Sequence, residues 1–187
     1  TVRGLFALRL RLLDQAIEKA RSAPPAAAEM AADVAAALLA RGRANRELGH
    51  MVQARADFEE GLGLARGARS ATLEGLAHMR IGEMVETDGA TAEARDRFAL
   101  ALRCVAAAPG DPVARLHEAD IRAHVAHTYR REGALESAER EIHAAIALYR
   151  AASRPDPPSC RRRSPRRRRS GRPPSATHRR RVRAPRS

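Results

Sequence analysis

The chain has 187 residues, of which 44% are hydrophobic but only 3% aromatic, and its formal net charge is +13. This length suits one ordinary domain or a short array of repeats. Ala and Leu dominate the apolar residues, which favours closely packed helices and argues against a sheet built of Val, Ile, Tyr and Thr. We therefore predict an all-α protein.

The excess positive charge is confined to the C-terminal tail. Residues 154–187 hold 14 of the 35 basic residues and one of the 22 acids, so residues 1–153 carry 21 of each and are neutral. The net charge therefore says nothing about the helical part of the chain. Lys19 is the only lysine, a bias that GC-rich codon usage explains more simply than helix propensity does.

Proline and glycine divide the chain into predicted helical segments. A Pro-Pro pair at residues 24–25 opens a helix that runs to about Leu48, because proline is tolerated in a first turn. Residues 67–70 end the next helix. Asp111 has the side chain and position of an N-cap, and the proline after it suits the first helical residue. Further prolines from residue 155 onward end the last predicted helix.

Three segments, with cores at residues 41–62, 81–102 and 125–146, align without gaps. Each has a small residue midway along a first helix and a glycine that ends this helix in the left-handed conformation. A second helix then carries an alanine and, four residues later, a large apolar residue on the same face. The turn glycines are Gly49, Gly89 and Gly133. The small residue, alanine and large residue of each segment are Gly42, Ala54 and Phe58, then Gly82, Ala94 and Phe98, then Ala126, Ala138 and Ile142.

This pattern resembles the tetratricopeptide repeat (TPR). The resemblance implies a right-handed superhelical solenoid of antiparallel helix pairs, with repeats at 24–67, 68–108 and 109–153. Residues 1–23 would supply the second helix of a truncated earlier repeat, and 154–187 a disordered Arg/Pro/Ser-rich tail. The turn glycines are 40 and 44 residues apart, against about 34 in the standard repeat. In the length of its repeats, the chain is similar to the arrays of bacterial MalT-like regulators and multidomain signalling ATPases. We therefore expect it to be a fragment of such a protein.

In tetratricopeptide arrays the first helices line a concave groove that receives a peptide or helix of a partner. The resemblance therefore implies a non-catalytic protein–protein interaction scaffold, and missing end caps would also favour self-association. The residues implied on the groove floor are Arg43, Arg46, Glu47, Glu83, Glu86, His127, Arg130 and Arg131. Their order of basic, acidic and basic favours a partner of mixed charge, although an ordinary solvated helix face would have the same composition.

The sequence offers no complete set of catalytic or metal-binding residues. His124 and His127 are three residues apart and share a helical face, but no acid or cysteine completes a ligand set for them. Cys104 lies on the apolar side of its helix and is predicted to be a small buried hydrophobic residue rather than a nucleophile. We expect no catalysis, no metal and no cofactor.

Several features predict a cytoplasmic protein. Cys104 and Cys160 form no disulfide framework, which suits a reducing compartment. The sequence contains no run of about 18 apolar residues, the length that a membrane span needs. Residues 1–13 lack a signal-peptide pattern. Because the chain does not begin with Met, we expect a fragment or a processed product.

The tail has three interpretations. It could be an arginine-rich arm that binds nucleic-acid phosphates through counterion release, a segment resembling Arg/Ser-type sequences, or the out-of-frame translation of GC-rich DNA. The abrupt change of composition after Ser153 and the near absence of lysine favour out-of-frame translation. The tail also lacks an aromatic platform for bases, which weakens the nucleic-acid interpretation. Nucleic acid is therefore a partner only if the tail is a genuine arm.

Overall fold

The computed structural model describes residues 2–22 and 27–153, and every regular element within them is an α-helix. This confirms the predicted all-α class. The predicted tail at 154–187 and the Pro-Pro pair at 24–25 lie outside the described residues. The seven described helices are α1 Val2–Ser22, α2 Ala27–Glu47, α3 Met51–Gly67, α4 Ala71–Thr87, α5 Thr91–Ala106, α6 Pro112–Arg131 and α7 Leu135–Ser153.

The helices pack chiefly as consecutive pairs, α2 with α3, α4 with α5, and α6 with α7. Successive pairs are joined by contacts of α3 with α4 and of α5 with α6, while α1 packs on α2. In addition, α2 contacts α4 and α4 contacts α6. The first helices of the three pairs therefore lie side by side as one layer. None of the described helices has the length and apolarity that crossing a membrane requires.

The turns inside the pairs follow from three glycines. Gly49, Gly89 and Gly133 have φ angles of 83°, 89° and 78°, the left-handed conformation that glycine adopts without strain. The residue after each glycine donates its amide back to a carbonyl five residues earlier, for example Ala90 to Val85 at 3.2 Å, which closes a Schellman motif. The left-handed helix ends predicted from the sequence are confirmed.

The predicted start of α6 is also confirmed. The Asp111 carboxylate accepts the amide of Val113 at 2.8 Å, and Pro112 occupies the first helical position. The hydroxyl of Thr72, at the start of α4, donates to the other carboxylate oxygen at 2.7 Å. Asp111 thus caps one first helix and ties it to the preceding one.

The small residues at the middle of α2 and α4 allow a phenylalanine ring to approach the helix backbone. A β-carbon on Gly42 would lie 2.5 Å from Cε1 of Phe58, and one on Gly82 would lie 2.7 Å from Cε1 of Phe98. Both rings are fully buried. Glycine is therefore required at these two positions by packing rather than by backbone conformation.

Ile142, the third residue of the predicted packing series, is placed differently. It is 41% exposed, whereas Phe58 and Phe98 are 0% exposed. The ring of Phe98 is covered by α6, where it stacks on His124 with ring centroids 5.4 Å apart. Within the part of the chain that the structure describes, α7 is the last helix, so no following helix covers Ile142. The other predicted packing residues, Ala54, Ala94, Ala126 and Ala138, are all buried.

Candidate functional site

A cleft of about 380 Å³ crosses the layer formed by α2, α4 and α6. It is wide enough for one or a few side chains of a bound molecule and is mostly polar. Arginine side chains project into it from α2 and α4, while an acid and a tyrosine stand on the opposite wall. The lining residues are Arg43, Arg46, Met79, Arg80, Glu83, Asp120, Ala123, His124 and Tyr149.

Glu83 of α4 is the central charge of this cleft, and it is 4% exposed. Its carboxylate accepts a hydrogen bond from Arg46 of α2 and another from Arg80 at 2.6 Å. The Nε2 atom of His124, from α6, lies 3.2 Å from the same carboxylate. A buried carboxylate needs such partners because its own desolvation is costly. Glu83 therefore links all three first helices.

Glu86 forms the second acidic position, one helical turn further along α4. One carboxylate oxygen lies 2.5 Å from Nδ1 of His127, and the other lies 3.7 Å from Nδ1 of His124. The backbone carbonyl of Glu86 accepts a hydrogen bond from Arg131 at 3.1 Å. The two histidines thus share a helical face, as the spacing predicts, and both lie near the Glu86 carboxylate.

The environment of the cleft shifts the pKa values of its central pair. Burial on its own would raise the pKa of Glu83, but the hydrogen bond from His124 and the neighbouring arginine charges hold it below its usual value. Burial on its own would lower the pKa of His124, but the Glu83 and Glu86 carboxylates raise it above its usual value. Both shifts favour the ionised pair, Glu83 negative and His124 positive.

Five of the eight predicted groove residues belong to this one network of contacts. They are Arg46, Glu47, Glu83, Glu86 and His127, with Glu47 at the margin, 3.8 Å from Arg46. Arg131 touches the network through a backbone carbonyl, and Arg43 lines the cleft with an exposed side chain. Arg130 is exposed and lies instead in a smaller depression of about 250 Å³ between α6 and α7. Glu83 and Glu86 both make internal contacts with arginine or histidine side chains, which the sequence pattern did not predict.

Four polar residues of the cleft were not predicted as groove residues from the sequence, namely Arg80, Asp120, His124 and Tyr149. Arg80 precedes Glu83 by three residues, a spacing that allows contact on a helix, so this pair could have been found. For His124, the sequence predicts only that it shares a helical face with His127. The hydroxyl of Tyr149, on α7, donates to Asp120. Burial and this hydrogen bond to Asp120 raise the tyrosine pKa to about 12. No sequence spacing predicts that contact.

The described residues thus define a helical protein in which three successive first helices share a charged cleft. Comparison with protein-family models, with curated proteins and with solved structures finds no match to this chain.

Proposed function

We propose that the protein is a non-catalytic interaction scaffold of the tetratricopeptide type, whose helix pairs form a right-handed superhelix and whose cleft receives a segment of another protein. The observation that carries this proposal is the side-by-side packing of α2, α4 and α6 with one cleft across all three. A binding site shared by successive helices is how helical arrays recognise extended partners.

The charges of the cleft support a partner of mixed charge. Because Glu83 and Glu86 already contact arginine and histidine side chains of the protein itself, the groups left for a ligand are the exposed guanidinium of Arg43 and, across the cleft, Asp120 with Tyr149. A peptide carrying an acidic side chain next to a basic or hydrogen-bonding one would complement both walls. The internal ion pairs fix the cleft's shape before the partner binds, which lowers the entropy cost of binding.

The test begins by selecting, from a displayed library of random peptides, those that bind the 187-residue protein. The affinity of the selected peptides is then measured for two variants of the protein. Arg43→Glu reverses a charge in the cleft, whereas Arg103→Glu reverses an exposed charge on α5, outside it. We expect selected peptides to bind Arg43→Glu at least about tenfold more weakly and Arg103→Glu unchanged. Failure to select any peptide, or equal weakening by both variants, would contradict the proposal.

A second candidate function rests on the tail. Its 14 arginines within 34 residues would make it a nucleic-acid-binding arm, positioned by the helical body. Deleting residues 154–187 should then abolish RNA or DNA binding whose affinity falls steeply with salt concentration. Binding that persists after the deletion, or that is insensitive to salt, would exclude this function.

A further inference from the structure

Three potential metal ligands meet between α4 and α5, on residues that do not line the cleft. One oxygen of Glu74, a ring nitrogen of His78 and the sulfur of Cys104 all lie within 4.8 Å of one another. Glu74 and His78 are four residues apart on α4, so they share a face. Cys104 comes from α5 and is half-buried next to these groups, whereas the sequence predicted a small buried hydrophobic residue.

Close approach of the two helices brings Cys104 to this position. Gly75 follows Glu74, and a β-carbon on Gly75 would lie 2.7 Å from Cγ1 of Val105 and 3.3 Å from Cβ of Cys104. Any larger residue at this point would therefore push α5 away from α4. The missing side chain at Gly75 places the thiol beside the carboxylate and the imidazole.

His78 is presented in the form that binds a metal. It is 2% exposed, and its Nε2 atom lies 3.3 Å from Nη2 of Arg66. A guanidinium only donates hydrogen bonds, so Nε2 must carry a lone pair and the ring proton must be on Nδ1. That Nδ1 atom is buried and has no hydrogen-bond partner within the described structure.

The guanidinium of Arg66 occupies the place that a cation would take. Its Nε donates to Oε1 of Glu74 at 2.9 Å, while its Nη2 lies against His78. The carboxylate and the imidazole lone pair therefore already converge on one positive group. The Arg66 side chain is 57% exposed, so it can swing into solvent without disturbing the core.

The spacing of the donors suits a tetrahedral ion. Ligand atoms bonded at 2.0–2.3 Å in a tetrahedral zinc site are roughly 3.3–3.8 Å apart. Oε1 of Glu74 and Nε2 of His78 are 3.8 Å apart, and the sulfur of Cys104 lies within 4.8 Å of the ligand atoms of both residues. A carboxylate, an imidazole and a thiolate are the ligand types that Zn²⁺ prefers, with water in the fourth position.

We propose that Glu74, His78 and Cys104 form a site for a divalent zinc-like ion, which enters when Arg66 swings out. The ion replaces the thiol proton of Cys104, which is released to solvent, and the sulfur binds as thiolate. Because the thiol must lose this proton, metal uptake weakens as pH falls. The site is independent of the cleft and of the scaffold function.

The experiment is titration of the reduced, full-length protein with Co²⁺, followed by displacement with Zn²⁺. We expect one equivalent of Co²⁺ to produce the charge-transfer absorption of a cobalt–thiolate bond, and Zn²⁺ to remove it. Cys104→Ser should abolish this band, while Cys160→Ser, which alters the other cysteine of the chain, should retain it. Absence of the band from the wild-type protein, or its loss in Cys160→Ser alone, would overturn the proposal.

Three further variants separate metal binding from folding. His78→Gln should weaken Co²⁺ binding by at least about tenfold. His117→Gln should not, although His117 also has a buried Nδ1 without a partner in the described structure. Arg66→Gln should tighten binding by about threefold to fivefold, because it removes the competing cation. Far-UV circular dichroism must be unchanged in each variant. Weaker binding in Arg66→Gln, or equal effects of the two histidine changes, would reject the assigned ligands.

Discussion

The ring of Phe98 lies directly against the backbone of Gly82, so closely that an added β-carbon would be 2.7 Å from its Cε1 atom. Phe98 is fully buried and is held on its other side by the imidazole of His124. The ring therefore has no free space to move into. This contact joins α4, α5 and α6 in one packed unit.

Gly82→Ala should therefore destabilise the protein, although alanine is the better helix former. We expect a loss of about 1–3 kcal/mol in unfolding free energy, typical of overpacking. Urea denaturation followed by circular dichroism measures it. The matched control is Gly63→Ala in α3, where nothing lies within 4 Å of the added β-carbon. That change should stabilise the protein by about 0.5–1 kcal/mol. Equal effects of the two substitutions would show that the Phe98 contact is not as close as described.

Glu83→Gln should be more damaging than loss of an exposed acid. The substitution removes the charge that pairs with Arg46 and Arg80, and partly buried guanidinium groups are left without a carboxylate. We expect a loss of about 3 kcal/mol or more, as for other buried ion pairs that lose one partner. The control is Asp88→Asn, since Asp88 is 65% exposed in its pair with Arg55 and should cost about 0–1 kcal/mol. A cost for Glu83→Gln no greater than the control's would argue against the network.

The stability contributed by His124 should depend on pH. Its pKa is raised in the folded protein, so its contribution is fully present below the unfolded value of 6.5 and is lost as pH rises through the folded value. His78 and His117 have lowered pKa values, mainly through burial, and act in the opposite sense. The quantity to measure is therefore the difference in unfolding free energy between wild type and His124→Gln.

This difference should be larger at about pH 5.5 than at about pH 8.5, with the change centred above pH 6.5. Below about pH 4.5 it should shrink again, because the Glu83 carboxylate, whose pKa lies below its usual value of 4.5, becomes protonated. Denaturation curves at these pH values provide the measurement. A difference that does not vary with pH would show that His124 acts by packing on Phe98 alone.

Truncation of Ile142 should be far milder than truncation of Phe98, which holds the aligned position in the preceding helix pair. Phe98→Ala removes a fully buried ring and should cost about 3–5 kcal/mol. Ile142 is 41% exposed, so Ile142→Ala should cost about 1 kcal/mol or less, below the usual range for a buried isoleucine. Thermal unfolding of both variants tests the comparison. Similar losses would mean that Ile142 is covered in solution. If the melting temperature then rose with protein concentration, the covering group would be a second copy of the chain.

Much of the local structure could be predicted from spacing alone. A glycine at the end of a helical pattern predicted the left-handed turns at Gly49, Gly89 and Gly133, and Asp111 before a proline predicted a helix start. These features depend on backbone geometry within a few residues. The repeating pattern also predicted a small residue, such as Gly42, on the first helix and a large apolar residue, such as Phe58, on the second, but their contact is seen only in the structure.

The pairing of charges could not be predicted in this way. Arg46 and Glu83 are 37 residues apart, and Glu86 and His127 are 41 apart. Each pair meets only because neighbouring first helices pack at a particular register, which one helix's own sequence does not determine. The same reason applies to Cys104 and His78, whose separate helices approach at Gly75.

The sequence by itself thus determined the helical class and the turns and caps that begin and end the helices, because propensity and capping act over short distances. The tertiary structure decided which side chains are neutralised, which are left for a partner, and which face is uncovered. Glu83 is chemically an ordinary surface acid in the sequence, and it becomes the buried centre of an ion network only when α2, α4 and α6 are side by side. Burial and pairing depend on the positions of neighbouring helices, and packing alone sets those positions.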